Sequence, residues 1–425
     1  MLLMRFNFEA IDLFSGCGGV SCGLTLAGFK VKAAVEIEKS AVDVYSSYPP
    51  FEKVNVLCED ICALSGEEIL KAAQIDQQSI YLLAGCPPCQ NFSRQNPENK
   101  NKTVEERKKL LFEFLRIIEE IRPPFILMEN VPGIKDEYNK IILDEFLNRL
   151  KQNYIVVEDI LNAANYGVPQ LRKRFVLHAA RKDIHQELIQ FGLEFALPKA
   201  THAKVPTEGL LPWRTVKDAI GDLPPIKAGE CYSGEKNIRN HKCASLKENT
   251  IKRMQMIRNS GGSRSGLPPE MVLECHKKKD KNGKVFAGHG DVYGIMDPDK
   301  PSPTMTGGCL SYSKGRYGHY EQNRAISIRE AARLQTFPDD FVFMDSLTDA
   351  ALQIGNAVPI DLVKASGYVL KKAMYIIKAK KVKKKSTEPP DFGNQSSNSC
   401  FKNGSLFFFY STRKGSYVKM FIDCS

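Results

Sequence analysis

"DLFSGCGGVSCG", residues 12 to 23, is the stretch that decides the fold. The apolar run Ala10–Phe14 leads into it, and three glycines, Gly16, Gly18 and Gly19, follow. A strand that ends in such a turn and opens a helix lets backbone approach a ligand closely, with the helix N-terminus supplying N–H donors. A glycine-rich turn alone is a weak signal, because tight turns need glycine anyway. The next apolar run, Val31–Glu36, ends on an acid about 20 residues later, where a ribose-binding carboxylate belongs. Asp60 stands at a plausible third strand end. The spacing Gly16-x-Gly18-Gly19 departs from the pyrophosphate fingerprint and suits a nucleoside cofactor that lacks a pyrophosphate.

Outward from this turn, strand-like runs recur at Ile80–Ala84, Phe125–Met128, Ile155–Val157 and Phe175–Ala179. Amphipathic stretches separate them. The clearest is Val104–Ile121, where Leu110, Leu111, Phe114, Leu115 and Ile118 keep helical spacing up to Pro123-Pro124. Alternating strand and helix predicts an α/β fold: a doubly wound, Rossmann-like, mostly parallel sheet covered on both faces. The spacing predicts a cofactor and catalytic domain over 1–196. Between 197 and 323, Pro, Gly, Lys and Ser dominate, and a smaller irregular domain of short strands and long loops is expected. Helical periodicity returns at Ser327–Gln335 and Ile360–Tyr375, so 324–375 is assigned back to the first domain. Residues 376–425 read as a basic, poorly ordered extension, in which "LFFFY" (406–410) has no evident place.

Bulk properties narrow the function. The chain has 425 residues, 12 cysteines and a net charge of +11. So few cysteines in so long a chain do not make a disulfide scaffold. No apolar run reaches membrane-spanning length, and Arg5, Glu9 and Asp12 interrupt any secretory pattern. A soluble cytoplasmic protein with polyanionic partners is expected. Eight lysines and no acid lie between Lys371 and Lys385, so much of the charge sits there.

The second chemical signal is "GCPPCQNFS", residues 85 to 93. Pro87 and Pro88 each fix φ and remove a donor, which stiffens the approach to Cys89 at the mouth of a buried strand. Cys86 and Cys89 have zinc spacing, but no second ligand pair lies nearby, and no metal is expected. Taken alone, Cys89 reads as a buried thiol. Its company changes that reading. "ENVPG" (129–133) puts Glu129 at another strand end, among apolar neighbours that raise a carboxyl pKa. "YGVPQLRKRFVLH" (166–178) puts Arg172 and Arg174 on one side of an extended segment. A thiol, a carboxyl and two guanidiniums facing one crevice favour anion or ring-oxygen binding.

In this order the motifs resemble those of the cytosine-C5 DNA methyltransferases, prokaryotic type, over most of residues 9 to 375. Phe14-Ser15-Gly16-Cys17-Gly18-Gly19 resembles the S-adenosylmethionine turn. Pro88-Cys89-Gln90, Glu129-Asn130-Val131 and Gln170-x-Arg172-x-Arg174 resemble the nucleophile, acid and basic motifs. "RAISIREAARLQTFPDDF" and "QIGNAVP" resemble the last two. The resemblance implies S-adenosylmethionine contacts at Phe14 to Gly19, Glu36, Ile37, Asp60, Ile61, Pro88, Asn356 and Ala357. It implies a catalytic set of Cys89, Glu129, Arg172 and Arg174, with Gln90, Ser93, Arg94 and Gln95 closing over a flipped-out cytosine. Thr304 and Thr306 would meet the DNA backbone, and residues 197–323 would read the sequence.

The implied partners are double-stranded DNA and a restriction endonuclease of the same specificity, and the implied state is a monomer. A tRNA-directed enzyme of the same fold is the alternative, but its Cys-Phe-Thr tripeptide is absent between 200 and 320. A catalytically silent DNA-binding relative would lose the thiol or the acid, and both are present. A nicotinamide-dependent dehydrogenase leaves Cys89, Glu129 and Arg174 without a role. Arg253, Arg258, Arg264 and Lys284 are candidates for phosphate or base contacts, with a solvated surface as the default for each. Trp213 reads as a core residue.

Overall fold

The computed structural model describes residues 6–88, 103–235, 238–277 and 292–387, together with three strands beyond residue 398. Contacts divide the chain into two units, Phe8–Met374 and a second that joins the N-terminal residues to Tyr375–Ser425.

Seven strands form the central sheet of the larger unit: β1 (Phe8–Leu13), β2 (Phe29–Val35), β3 (Asn55–Leu57), β4 (Tyr81–Gly85), β5 (Phe125–Asn130), β6 (Tyr154–Asn162) and β7 (Lys173–Arg181). Their order is β3-β2-β1-β4-β5-β7-β6. Strand β1 pairs in parallel with both β2 and β4, so the winding direction reverses there. Open α/β sheets bind ligands at that switch point, outside the carboxyl ends of the strands. Every residue of β4 is buried, as a strand covered on both faces requires. The apolar runs read from the sequence correspond to six of these strands. Strand β7 differs in direction: it inserts between β5 and β6 and runs antiparallel to both.

Helices α1 (Gly19–Leu26), α2 (Lys39–Ser47), α3 (Gly66–Ala73), α4 (Val104–Ile121), α5 (Glu137–Leu150) and α6 (Lys182–Gln190) cover the sheet. Helix α4 shows why its bounds were legible. Thr103 Oγ1 accepts the Glu106 N–H at 3.2 Å, and the Glu106 carboxylate accepts the Thr103 N–H at 2.7 Å. Such a capping box contributes about 1 kcal/mol. At the far end Arg122 takes a left-handed φ of 48° ahead of Pro123-Pro124, which excludes further helix. Leu111, Phe114, Leu115 and Ile118 of α4 join Ile11, Leu83 and Ile126 in one core cluster.

Beyond residue 197, short elements prevail: β8 (His202–Ala203) with β9 (Leu211–Pro212), α7 (Val216–Ile220), α8 (Glu248–Asn259) and α9 (Glu274–Lys277). Helix α8 was not expected, although Met254 and Ile257, its buried residues, have helical spacing. Helices α10 (Ile328–Leu334), α11 (Leu347–Asn356) and α12 (Ile360–Thr387) follow. A second core cluster joins Val216, Met305, Tyr317, Ile328 and Ile354 to Cys17, Cys22 and Tyr45. The late segments therefore pack on the α1–α2 side, behind the glycine turn. In the smaller unit, β11 (Ser405–Ser411), which contains the 406–410 apolar run, lies between β10 (Ser399–Lys402) and β12 (Tyr417–Ile422), antiparallel to both. Among the described residues no helix is long and apolar enough to cross a membrane.

Candidate active site

The glycine turn leaves β1 through Phe14, whose φ of 58° is rare for a residue with a side chain. Strained backbone of this kind concentrates at functional sites. Gly18 follows at φ 101°, and a Cβ there would lie 2.7 Å from Phe51 and 2.9 Å from Tyr45. Behind the turn, buried Asp12 accepts the Ser21 N–H at 3.0 Å and its hydroxyl at 2.6 Å, while Tyr45 donates to Ser21 Oγ at 2.8 Å. Asp12 Oδ1 is buried with no hydrogen-bond partner among the described residues. Burial pushes this carboxyl up to about 7, against the hydrogen bonds from Ser21.

On the other side of the turn, a Cβ at Gly16 would meet nothing within 4 Å among the described residues. Glu36 Oε2 accepts the Gly16 N–H at 2.8 Å, and Oε1 accepts that of Glu38 at 2.9 Å, so this acid braces the turn. Ile37 beside it is 58% exposed, an apolar surface at the carboxyl end of β2. Asp60 is exposed and accepts the Cys62 N–H, which holds its carboxyl below the usual range. Ser15 is buried, and its hydroxyl has no hydrogen-bond partner among the described residues. Asn356 is exposed and Ala357 half-buried at the end of α11. The exposed apolar face at Ile37, the exposed Asp60 carboxylate and the glycine backbone between them suit a nucleoside. Several residues expected at the cofactor are buried. Ile61 is 3% exposed and belongs to the core, and Cys17 is buried, with burial pushing its thiol up to about 12. Gly19 begins α1 and is also buried.

The second half of the crevice lies at the ends of β4, β5 and β7. Pro88 is exposed and is the last residue described before 103; Cys89, Gln90, Ser93, Arg94 and Gln95 lie outside the described residues. Asn130, at the end of β5, donates from Nδ2 to Pro87 O at 3.1 Å and thereby fixes the approach to Cys89. This tie was not foreseen, although Asn130 stands in the quoted "ENVPG" stretch. Glu129 lies within β5, one residue before its end, and only 13% of its side chain is exposed. Arg174 Nε stands 2.7 Å from Glu129 Oε1. Burial pushes the Glu129 carboxyl up, while the charges of Arg174 and Arg172 pull it down. Cys86 also touches Glu129, and burial, with that carboxylate beside it, raises the thiol well above its ordinary range.

Arg172 and Arg174 do not act as a matched pair. Arg174 is in β7 and reaches the carboxylate; Arg172 precedes the strand, is buried, and bonds the carbonyls of Met305, Gly355 and Ala357. Thr304 is partly exposed and donates to Leu171 O at 2.8 Å; Thr306 Oγ1 is 3.1 Å from Tyr317 Oη. Arg258 was a candidate for nucleic-acid contact with solvent as the default. It is neither of these in its bonding: its guanidinium holds the carbonyls of His319, Tyr320 and Gln322 and the side chain of Asn323. Arg253 bonds Met271 O, and Arg264 opens a single 3-10 turn. Lys284 lies outside the described residues. Trp213 is half-buried and donates to Asn165 at 2.9 Å. Among the described residues no cluster of His, Cys, Asp or Glu is placed to hold a metal ion.

A doubly wound sheet with a glycine turn on one side of its switch point and a carboxylate–guanidinium pair on the other has the architecture of a Rossmann-like enzyme. The sequence pattern of the C-5 cytosine-specific DNA methylases matches residues 8–372, and the chain belongs to that family. It is 36% identical over 357 residues to the type II methylase M.HgiDII of Herpetosiphon aurantiacus, covering 83% of this chain and 92% of that one. It is 34% identical over 365 residues to the type II methyltransferase M1.HphI of Haemophilus parahaemolyticus, covering 86% and 87%. Among solved structures, a prophage-encoded Escherichia coli protein described as a DNA modification methyltransferase is similar, with a TM-score of 0.59 and 26% identity. That match covers 87% of this chain and 100% of the other.

Proposed function

We propose that this protein transfers a methyl group from S-adenosylmethionine to C5 of a cytosine in a specific DNA sequence, through a covalent adduct between Cys89 and C6. The observation that carries the reading is the Glu129–Arg174 pair at 2.7 Å, set beside the proline-stiffened approach to Cys89 that Asn130 anchors. S-adenosylmethionine, when bound, supplies an electrophilic methyl group. Glu36, Ile37, Asp60, Asn356 and Ala357 would hold it.

Cytosine C5 is a weak nucleophile, and covalent addition divides one hard step into two easier ones. The Cys89 thiolate adds to C6, and Glu129 holds or protonates N3, stabilising the enamine. Arg174 faces the O2 side of the ring and favours the thiolate, since nearby cations lower a thiol's pKa. C5 would take the methyl group as the donor's S–CH3 bond breaks and the thioether leaves; loss of the C5 proton to solvent, with expulsion of Cys89 as thiolate, then restores the ring. The target atom is inaccessible within a duplex, so the base is flipped out. Gln90, Ser93, Arg94 and Gln95 then close over it, and Thr304 and Thr306 meet the backbone. Cys86 is the structural thiol: the burial and carboxylate that raise its pKa disfavour attack.

A restriction endonuclease of the same specificity is the proposed partner, by analogy with the type II methylases to which the chain is similar. The test is sequencing of modified cytosines in a host that expresses the protein. One cytosine methylated at C5 within a fixed sequence is the expected result. Unmodified DNA with methylated tRNA would overturn the reading.

A further inference from the structure

Arg172 stands two residues from Arg174 and bridges two distant stretches of chain. Its side chain is 2% exposed. Nη1 donates to Met305 O at 2.5 Å, and Nη2 donates to Gly355 O at 2.8 Å and Ala357 O at 3.1 Å. Met305 lies between Thr304 and Thr306, the segment assigned to the DNA backbone. Gly355 and Ala357 flank Asn356, assigned to the cofactor. One guanidinium thus holds the carbonyls of both ligand-facing segments.

The surrounding bonds remove slack from this bridge. Gln170 accepts the Met305 N–H at 2.9 Å and donates to Gln335 at 3.0 Å. Gln335 in turn donates to Ile354 O at 2.7 Å and Ala357 O at 3.1 Å. Tyr317 donates to Thr304 O at 2.8 Å. The two segments also touch: a Cβ on Gly355 would lie 2.2 Å from the Thr306 carbonyl carbon and 2.3 Å from Gly307 N. Movement of residues 354–357 must therefore move 304–307, or break charge-assisted hydrogen bonds to buried acceptors.

We propose that Arg172 is a positioning residue that couples cofactor occupancy to the placement of the Thr304–Gly307 segment, so that each ligand tightens the other. The inference rests on the proposed function, which assigns the two segments their ligands. The planar fork of arginine is what makes the bridge, because its donors have a fixed spacing that a lysine ammonium lacks. Coupling of this kind is reciprocal by thermodynamic necessity.

The test is calorimetric titration with S-adenosylhomocysteine, with and without a short duplex containing a sequence that the wild-type protein methylates. The duplex should tighten wild-type binding by about fivefold or more. In Arg172→Lys the tightening, read as the ratio of S-adenosylhomocysteine affinities with and without the duplex, should fall below about twofold. Equal tightening in both proteins, or none in wild type, overturns the inference. Should Arg172→Lys fail to fold, hydrogen exchange of the wild type decides. S-adenosylhomocysteine alone should protect the amides of Thr304, Met305, Thr306 and Gly307 as well as those of residues 354–358. Protection confined to 354–358 overturns the inference. A wild-type protein that does not bind S-adenosylhomocysteine at all overturns the proposed function, and the inference with it.

Discussion

Arg174 reaches from β7 to place its Nε 2.7 Å from Oε1 of Glu129 on the neighbouring, antiparallel β5. The contact works against the burial that raises the Glu129 pKa. Burial thus favours the protonated carboxyl and the guanidinium favours the carboxylate, so each group sets the proton affinity of the other. Glu129→Gln and Arg174→Lys should each lower the single-turnover methylation rate by roughly 10²-fold or more. Because the two groups act as one unit, the double variant should be hardly slower than the slower single one. Multiplicative losses in a rapid-quench assay would show that they act independently.

The two glycines of the turn should fail in different ways. Gly18→Ala puts a methyl group 2.7 Å from Phe51, in a left-handed conformation, and should lower the thermal midpoint by several degrees. Gly16→Ala points into open space, so its stability cost should stay near the ~1–2 kcal/mol of a left-handed alanine. Its affinity for S-adenosylmethionine should nonetheless fall at least as far as that of Glu36→Ala, for which about tenfold is expected from a lost charged hydrogen bond. Thermal melts and cofactor titrations of the three variants separate the effects; unchanged affinity in Gly16→Ala would remove the cofactor from the turn.

Asp12 gives a pH dependence of stability with a definite sign. Its folded pKa, about 7, lies above the ordinary 3.8, so the folded protein binds the extra proton between those values. Stability from this group is therefore greatest below pH ~4 and falls as pH rises to ~7, by an amount on the order of 4 kcal/mol. Asp12→Asn cannot titrate. The difference between wild-type and variant unfolding free energies, measured by urea titration from pH 4 to pH 8, should shift in favour of the variant as pH rises. A flat difference would mean that Asp12 stays ionised in the fold.

The sheet was legible because its signals are local. Buried strands such as Tyr81–Gly85 read as continuous apolar runs, and Thr103, Glu106 and Pro123-Pro124 mark both ends of α4 in the sequence itself. The direction of β7 was not legible, since strand composition does not record which way a strand runs. Side-chain partners beyond residue 197 were hidden for a related reason. Arg258 and Arg172 look in sequence like charges awaiting an anion, but most of their acceptors are backbone carbonyls, 61 to 64 and 133 to 185 residues away. Nothing in a carbonyl's residue type announces that it will accept an arginine. Glu129 and Arg174 stand out in the sequence as candidates because of their residue types and strand-end positions. The Asn130 anchor of Pro87 needed the fold.

The central claim is that Cys89 is the nucleophile, and covalent trapping tests it most directly. DNA carrying 5-fluorocytosine at the methylated position should accumulate an adduct with the wild-type protein and S-adenosylmethionine, because fluorine cannot leave C5 as a proton does. Mass spectrometry with peptide mapping should place the DNA on Cys89. Cys89→Ser should form no adduct and lose nearly all turnover, since a hydroxyl is far less ionised than a thiol, while Cys86→Ser should still be trapped. An adduct on Cys86, or none in the wild-type protein on a sequence it methylates, would contradict the account.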